Sequence, residues 1–118
     1  MEPKSAGELD REVRIQRRLS VPDGYGNVTG DWADICQPRM AKMLPTRGGE
    51  QIIAARAQGK ALWDGWVYFD PDSETISADD RLVDLMNPAL TWNVTFAGDM
   101  SGRRVWLFLQ LEQGGADG

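Results

Sequence analysis

Two runs near the C-terminus alternate apolar and polar residues with a period of two, and this pattern constrains the fold more than any other feature of the chain. Leu90, Trp92, Val94 and Phe96 are interleaved with Thr91, Asn93 and Thr95. Beyond the turn residues Gly98-Asp99-Met100-Ser101-Gly102 come Val105, Leu107, Leu109 and Leu111, opposed by Trp106, Phe108 and Gln110. Successive side chains of a strand point to opposite faces, so each run presents one face to a core. The glycine-bearing turn between them predicts an antiparallel hairpin. A third alternating run, residues 12–21, places Val13, Ile15, Leu19 and Val21 on one face, with Arg17 interrupting it. Pro22-Asp23-Gly24-Tyr25-Gly26-Asn27 behind it has the composition of a hairpin tip.

The remaining segments fit the same class. A long irregular strand is expected from Val28 to Leu44, with Trp32, Ile35, Met40 and Met43 as its apolar content. Pro38 inside it cannot donate to a ladder and marks an edge or a bulge. Residues 45–58 form the one convincing helix, with Thr46 as a cap, Glu50 in the first turn and Gly59 just past the end. So short a helix is marginal alone and needs a tertiary contact or a partner. Gly59 to Asp70 reads as a strand carrying Leu62, Trp63, Trp66, Val67, Tyr68 and Phe69. Residues 70–80 read as an acidic loop, and Leu82–Met86 as a short strand broken by Asn87-Pro88. The chain is therefore expected to be mainly β, a small barrel of about six strands with one short helix inserted between the second and third. Closure removes exposed strand edges. The expected division is an N-terminal arm (1–10), the barrel (11–112) and a disordered tail (113–118).

At 118 residues the chain has one domain's length. It contains no histidine and a single cysteine, Cys36. Ser-His and Cys-His nucleophile pairs, histidine general bases and His/Cys metal clusters are thereby excluded. One cysteine permits no intrachain disulfide, and a reducing intracellular setting is the expectation. No apolar run approaches the roughly 20 residues of a membrane helix, and Met1-Glu2-Pro3-Lys4-Ser5 lacks a signal-peptide core; a soluble protein is expected. The net charge of −5 argues against a general nucleic-acid binder. Gly24-Tyr25-Gly26 is followed by Thr29 where a dinucleotide loop needs a third glycine, so the turn reading stands. A calcium loop starting at Asp70 would need glycine and glutamate where Thr75 and Arg81 occur. The adjacent acids Asp79 and Asp80 show nothing that would drive their pKa values apart. No catalytic residue, cofactor-binding residue or metal ligand is expected.

Charge is unevenly placed. Arg11, Arg14, Arg17 and Arg18 crowd one stretch, whereas Asp64, Asp70, Asp72, Glu74, Asp79, Asp80 and Asp84 have only Arg81 as a basic neighbour. These are either two solvated faces or complementary surfaces of neighbouring copies, with Arg14 and Arg18 of one subunit meeting Asp72 and Glu74 of the next. Contacts of the second kind would weaken with salt. Trp106 and Phe108 fall on the nominal outer face of the last strand and need cover, either from the helix at 47–58 or from a neighbouring subunit.

The order of these features is itself informative. Ala6-Gly7-Glu8-Leu9-Asp10-Arg11 runs into Val13-Arg14-Ile15-Gln16-Arg17-Arg18, followed by Asp23-Gly24-Tyr25-Gly26, Trp32 and an alanine-rich helix led by Gly48-Gly49-Glu50. Asp79-Asp80-Arg81-Leu82 and Arg103-Arg104-Val105-Trp106-Leu107 complete the set. Over residues 6–112 it closely resembles the head-tail joining (head-closure, or stopper) proteins of long-tailed bacteriophages and related gene transfer agents. The resemblance implies a small β-barrel that assembles as a twelvefold ring in the connector between capsid and tail. It implies a portal or adaptor protein on the head side, a tail terminator protein on the tail side, and packaged double-stranded DNA in the channel. No enzymatic activity, cofactor or membrane is implied. The protein would be a virion component at the head-tail interface, present in the host cytoplasm during assembly, closing the DNA-filled head and offering a docking surface for the tail. Within this reading segment 45–60, with glycine hinges at Gly48, Gly49 and Gly59, carries Arg47, Arg56 and Lys60 and projects toward the channel or packs on an adjacent ring. A ring would multiply these charges into a collar for DNA phosphates; alternatively they solvate a helix lying on the barrel. A tail-side completion ring and a small protein-binding barrel remain the competing functions.

Overall fold

The alternating segments pair into one antiparallel sheet that closes on itself. The computed structural model describes residues 2–19, 21–22, 28–29, 31–47 and 49–114. In chain order the strands are β1 (Arg11–Arg18), β2 (Val21–Pro22), β3 (Val28–Thr29), β4 (Trp32–Asp34) and β5 (Arg39–Pro45), followed by helix α1 (Glu50–Ala57). Then come β6 (Lys60–Tyr68), β7 (Arg81–Asp84), β8 (Thr91–Gly98) and β9 (Trp106–Gly114). The sheet order is β4-β1-β5-β6-β9-β8-β7, and β7 returns to pair with β1. Six strands thus form a closed barrel, with β4 as an extra strand alongside β1 and α1 joining the barrel's second and third strands. β2 and β3 form a separate two-stranded ribbon.

Alternation decides what lies inside. Val13 and Ile15 of β1, Val67 of β6, Leu82 of β7, Trp92 and Val94 of β8, and Leu107, Leu109 and Leu111 of β9 converge in one core with Ala41 and Met43 of β5. Ile76, from the loop before β7, plugs the same core and is 5% exposed. Trp92 is the largest fully buried side chain. Its ring meets Trp63 edge-on, with centroids 5.9 Å apart.

Several local expectations are corrected. The strand expected over 28–44 is three pieces, because residues 35–38 turn out of the ladder at Pro38. Ile35 still donates its N–H to the Ile15 carbonyl at 2.9 Å. In the first alternating run Leu19 is half-exposed rather than core, since the strand leaves the barrel after Arg18 and Leu19 pairs through its N–H with the Asp31 carbonyl. The helix is shorter than its expected span of 45–58. Thr46 does not cap it; its hydroxyl donates to Asp64 Oδ1 at 2.9 Å. The N-cap position belongs to Gly49 at φ 89°, a left-handed turn that only glycine adopts without strain. Phe96, expected inside, is 41% exposed. A bulge between Val94 and Phe96 resets the alternation, and the Phe96 ring lies against Gly98, where a Cβ would fall 2.9 Å from it. The strand expected to reach Met86 stops at Asp84, leaving Met86 exposed. The hairpin tip at 23–27, hinge residue Gly48 and tail residues 115–118 lie outside the described residues.

Candidate assembly surfaces

The arginines of β1 and the acidic loop do meet, within one chain. Arg17 occupies the inward phase of β1 and grips Asp80 with two parallel bonds, Nε to Oδ1 at 2.8 Å and Nη2 to Oδ2 at 2.9 Å. Asp80 is 1% exposed and also accepts the Ser77 N–H at 3.0 Å. Donating to the Asp80 carboxylate raises the pKa of the Arg17 guanidinium. Arg11 reaches Asp84 at 2.6 Å. Arg39 holds Asp70, and its other guanidinium nitrogen stands 3.5 Å from Asp72. Arg14 and Arg18, the interface residues expected on this strand, lie on its outer phase. Arg14 lies beside Val83 of β7, and the Arg18 guanidinium sits 4.9 Å from the Trp32 ring centroid, with Arg81 4.2 Å from the same ring. Cation–π contact on both explains how two like charges share one indole.

The acidic turn is built from its own backbone. Asp70 Oδ1 accepts the N–H groups of Asp72 and Ser73, both at 2.9 Å, and the buried Ser73 hydroxyl donates to the Tyr68 carbonyl at 2.6 Å. Glu74 is exposed on it. Burial pushes the Asp70 carboxyl up, but Arg39 and these N–H groups hold it below the usual carboxylate range. Burial likewise opposes ionisation of Asp84, and the N–H groups of Met86 and Asn87 with Arg11 bring it below that range. A folded-state pKa below the unfolded one means that this stabilisation is complete above the unfolded carboxylate value near 4 and is lost as pH falls through the folded value. Thermal melts should therefore be flat from about pH 5.5 to 7.5, where a chain without histidine has no side chain titrating at its ordinary pKa, and Tm should fall below about pH 4. A Tm that changes by more than a few degrees between pH 5.5 and 7.5 would contradict this assignment.

The outer face of β5, β6 and β9 carries an aromatic patch. Trp66 and Phe108 have centroids 5.5 Å apart, and Tyr68 stacks on Trp106 at 4.8 Å. Trp106 is 7% exposed. Its cover is Leu9 of the N-terminal arm, which joins Trp66 and Trp106 in a second small core. Of the two covers expected, α1 or a neighbouring subunit, the first is replaced by the arm. The arm is tied down by Glu8, whose carboxylate takes Lys42 Nζ at 2.8 Å, and Lys42 in turn stands 5.8 Å above Trp66. Phe108 is half-buried, and Tyr68 and Met40 are exposed.

α1 rests on the barrel through Ile52 and Ala55, while Ile53 is 70% exposed. Between the helix and the outer face of β5 and β6 lies a cleft of about 680 Å³ lined by Leu44, Pro45, Thr46, Arg47, Arg56, Asp64 and Trp66. Arg47 and Arg56, named from sequence as a channel-facing pair, both rim this cleft. Lys60, grouped with them, is instead paired with Glu112 at 2.9 Å. The chemistry here is that of contact surfaces: an apolar-floored cleft with a cationic rim, a rigid acidic turn and a partly covered aromatic face. Sequence reading missed Leu9, Asp64 and Asp80 as individuals. The signals were slight: an isolated leucine in a polar arm, and two acids among many.

The chain belongs to the phage head completion protein family, whose model matches residues 4–114. This family is structural, and the protein is a component of the phage particle. The solution structure of protein SF1141 from Shigella flexneri 2a superposes with a TM-score of 0.62 at 18% identity, covering 95% of this chain and 98% of that one. At that identity the likeness concerns the fold. No curated protein matches the chain. Among the described residues no helix is long and apolar enough to cross a membrane.

Proposed function

We propose that the protein is a ring subunit of the head-tail connector that closes the DNA-filled head after packaging and presents the surface on which the tail docks. The observation that carries this reading is the family match across residues 4–114, nearly the whole chain. The fold supports it. A closed barrel offers no free edge for uncontrolled strand pairing, so specific contacts fall to outward features: the aromatic face, the acidic turn and the cleft beside α1. The portal or an adaptor would contact one side of the ring and the tail terminator the other, with DNA in the channel. Deleting the coding sequence from its producing element and imaging the particles by negative-stain electron microscopy tests the role. Tailless heads that have lost DNA, beside free complete tails, are the expected outcome. Normally joined particles would overturn it, and full heads with defective tail ends would move the protein to the tail side.

A further inference from the structure

We infer that the acidic turn Asp70–Thr75 of one copy docks into the arginine-rimmed cleft beside α1 of the next copy, making a head-to-tail contact. The inference rests on the ring reading above and names the surfaces that would join its subunits. The cleft lies against the middle of β6, at Asp64 and Trp66, whereas the turn follows that strand's C-terminal end, so the two are distinct patches of one chain. A contact between different patches of identical chains is heterologous, and such contacts form a ring when the rotation between copies closes.

Their chemistries are complementary. The cleft has an apolar floor of Leu44, Pro45 and the Trp66 indole, with Arg47 and Arg56 exposed at its rim. Among the described residues no carboxylate pairs with either arginine. Asp64, the one acid lining the cleft, has Oδ1 engaged by the Thr46 hydroxyl. On the turn, Arg39 takes up Asp70 and its other guanidinium nitrogen stands 3.5 Å from Asp72, yet Asp72 keeps 67% of its side chain exposed and Glu74 is also exposed. Pro71 stands exposed between the two aspartates and provides an apolar tip. The hydrogen bonds of Asp70 and Ser73 hold the turn rigid before it docks, so little conformational entropy is lost on contact. A DNA duplex is a poorer occupant, because the indole floor and Asp64 offer nothing to phosphates.

The test uses the full-length protein and two charge reversals, Arg47→Glu/Arg56→Glu and Asp72→Arg/Glu74→Arg, with circular dichroism melts to confirm that both fold. Self-association is measured by sedimentation velocity and native mass spectrometry at low and high salt. Wild type should assemble, and each variant alone should assemble about 10-fold more weakly at low salt, because its two surfaces now carry like charges. An equimolar mixture of the two variants should recover assembly, since every cleft then finds a turn of opposite charge. Variants that assemble like wild type, or a mixture that fails to recover, would overturn the contact. So would a wild type that stays monomeric at millimolar concentration, an outcome that leaves the head-completion role to the deletion experiment. Duplex DNA binding lost in Arg47→Glu/Arg56→Glu with self-association intact would assign the cleft to DNA instead.

Discussion

Trp92→Ala should lower the unfolding free energy by about 4 kcal/mol, the largest single-residue loss in the barrel. Trp92 is 1% exposed, and it points from β8 into the core against the Trp63 ring. The Arg11 guanidinium lies 5.2 Å from its centroid. Truncation removes the transfer free energy of the indole and leaves a cavity that a closed barrel cannot collapse, since all six strands are paired on both sides. It also strips one face from Arg11, loosening the bond to Asp84 that helps fasten β1 to β7. Domains of this size have total stabilities of about 5–15 kcal/mol, so the variant should be marginal at 37 °C. Urea unfolding followed by far-UV circular dichroism should show a lower midpoint with an unchanged slope. A loss below about 1 kcal/mol would mean that the core is organised around other side chains.

Asp80→Ala should cost about 3 kcal/mol, through a different mechanism. The carboxylate is buried, and it satisfies the Arg17 fork and the Ser77 N–H together. Without it the N–H is stranded and the guanidinium loses its partner. Because the Arg17 side chain is 48% exposed, water recovers part of the loss, which places the figure below that of a fully buried pair. The bond joins residues 63 positions apart, tying the end of β1 to the loop that enters β7. The paired change Arg17→Met/Asp80→Leu should be less damaging than the sum of its parts, because no unpaired charge remains. Strict additivity in that double-mutant cycle would show that the pair is not coupled.

Both predictions concern residues whose types were readable in the chain but whose partners were not. Trp92 was legible as a core residue from its place in an alternating run. Arg17 was legible only as an interruption of such a run, because nothing local says that an inward-phase arginine will find an acid beyond the sixtieth following residue. The acidic loop was visible as a block of charge, yet its pairing partners turned out to be Arg17 and Arg39 of the same chain, with Arg14 and Arg18 facing away. Arg47 and Arg56 were visible as charges on a short basic segment. That they rim one cleft, and that Lys60 leaves them for Glu112, depends on how α1 lies against β5 and β6.

The sequence by itself determined the buried side of β1 at Val13 and Ile15, of β8 at Trp92 and Val94 and of β9 at Leu107, Leu109 and Leu111, together with the C-terminal hairpin, the mainly β class and the exclusion of histidine chemistry. These follow from a two-residue period and from composition, both of which are local properties of the chain. Only the tertiary structure decided that β7 closes on β1, that a bulge turns Phe96 outward, that Leu9 rather than the helix covers Trp106, and that Asp80 is buried. Those outcomes depend on register and on contacts between residues distant in sequence, whose free energies are settled by the packing of the whole barrel rather than by any one segment.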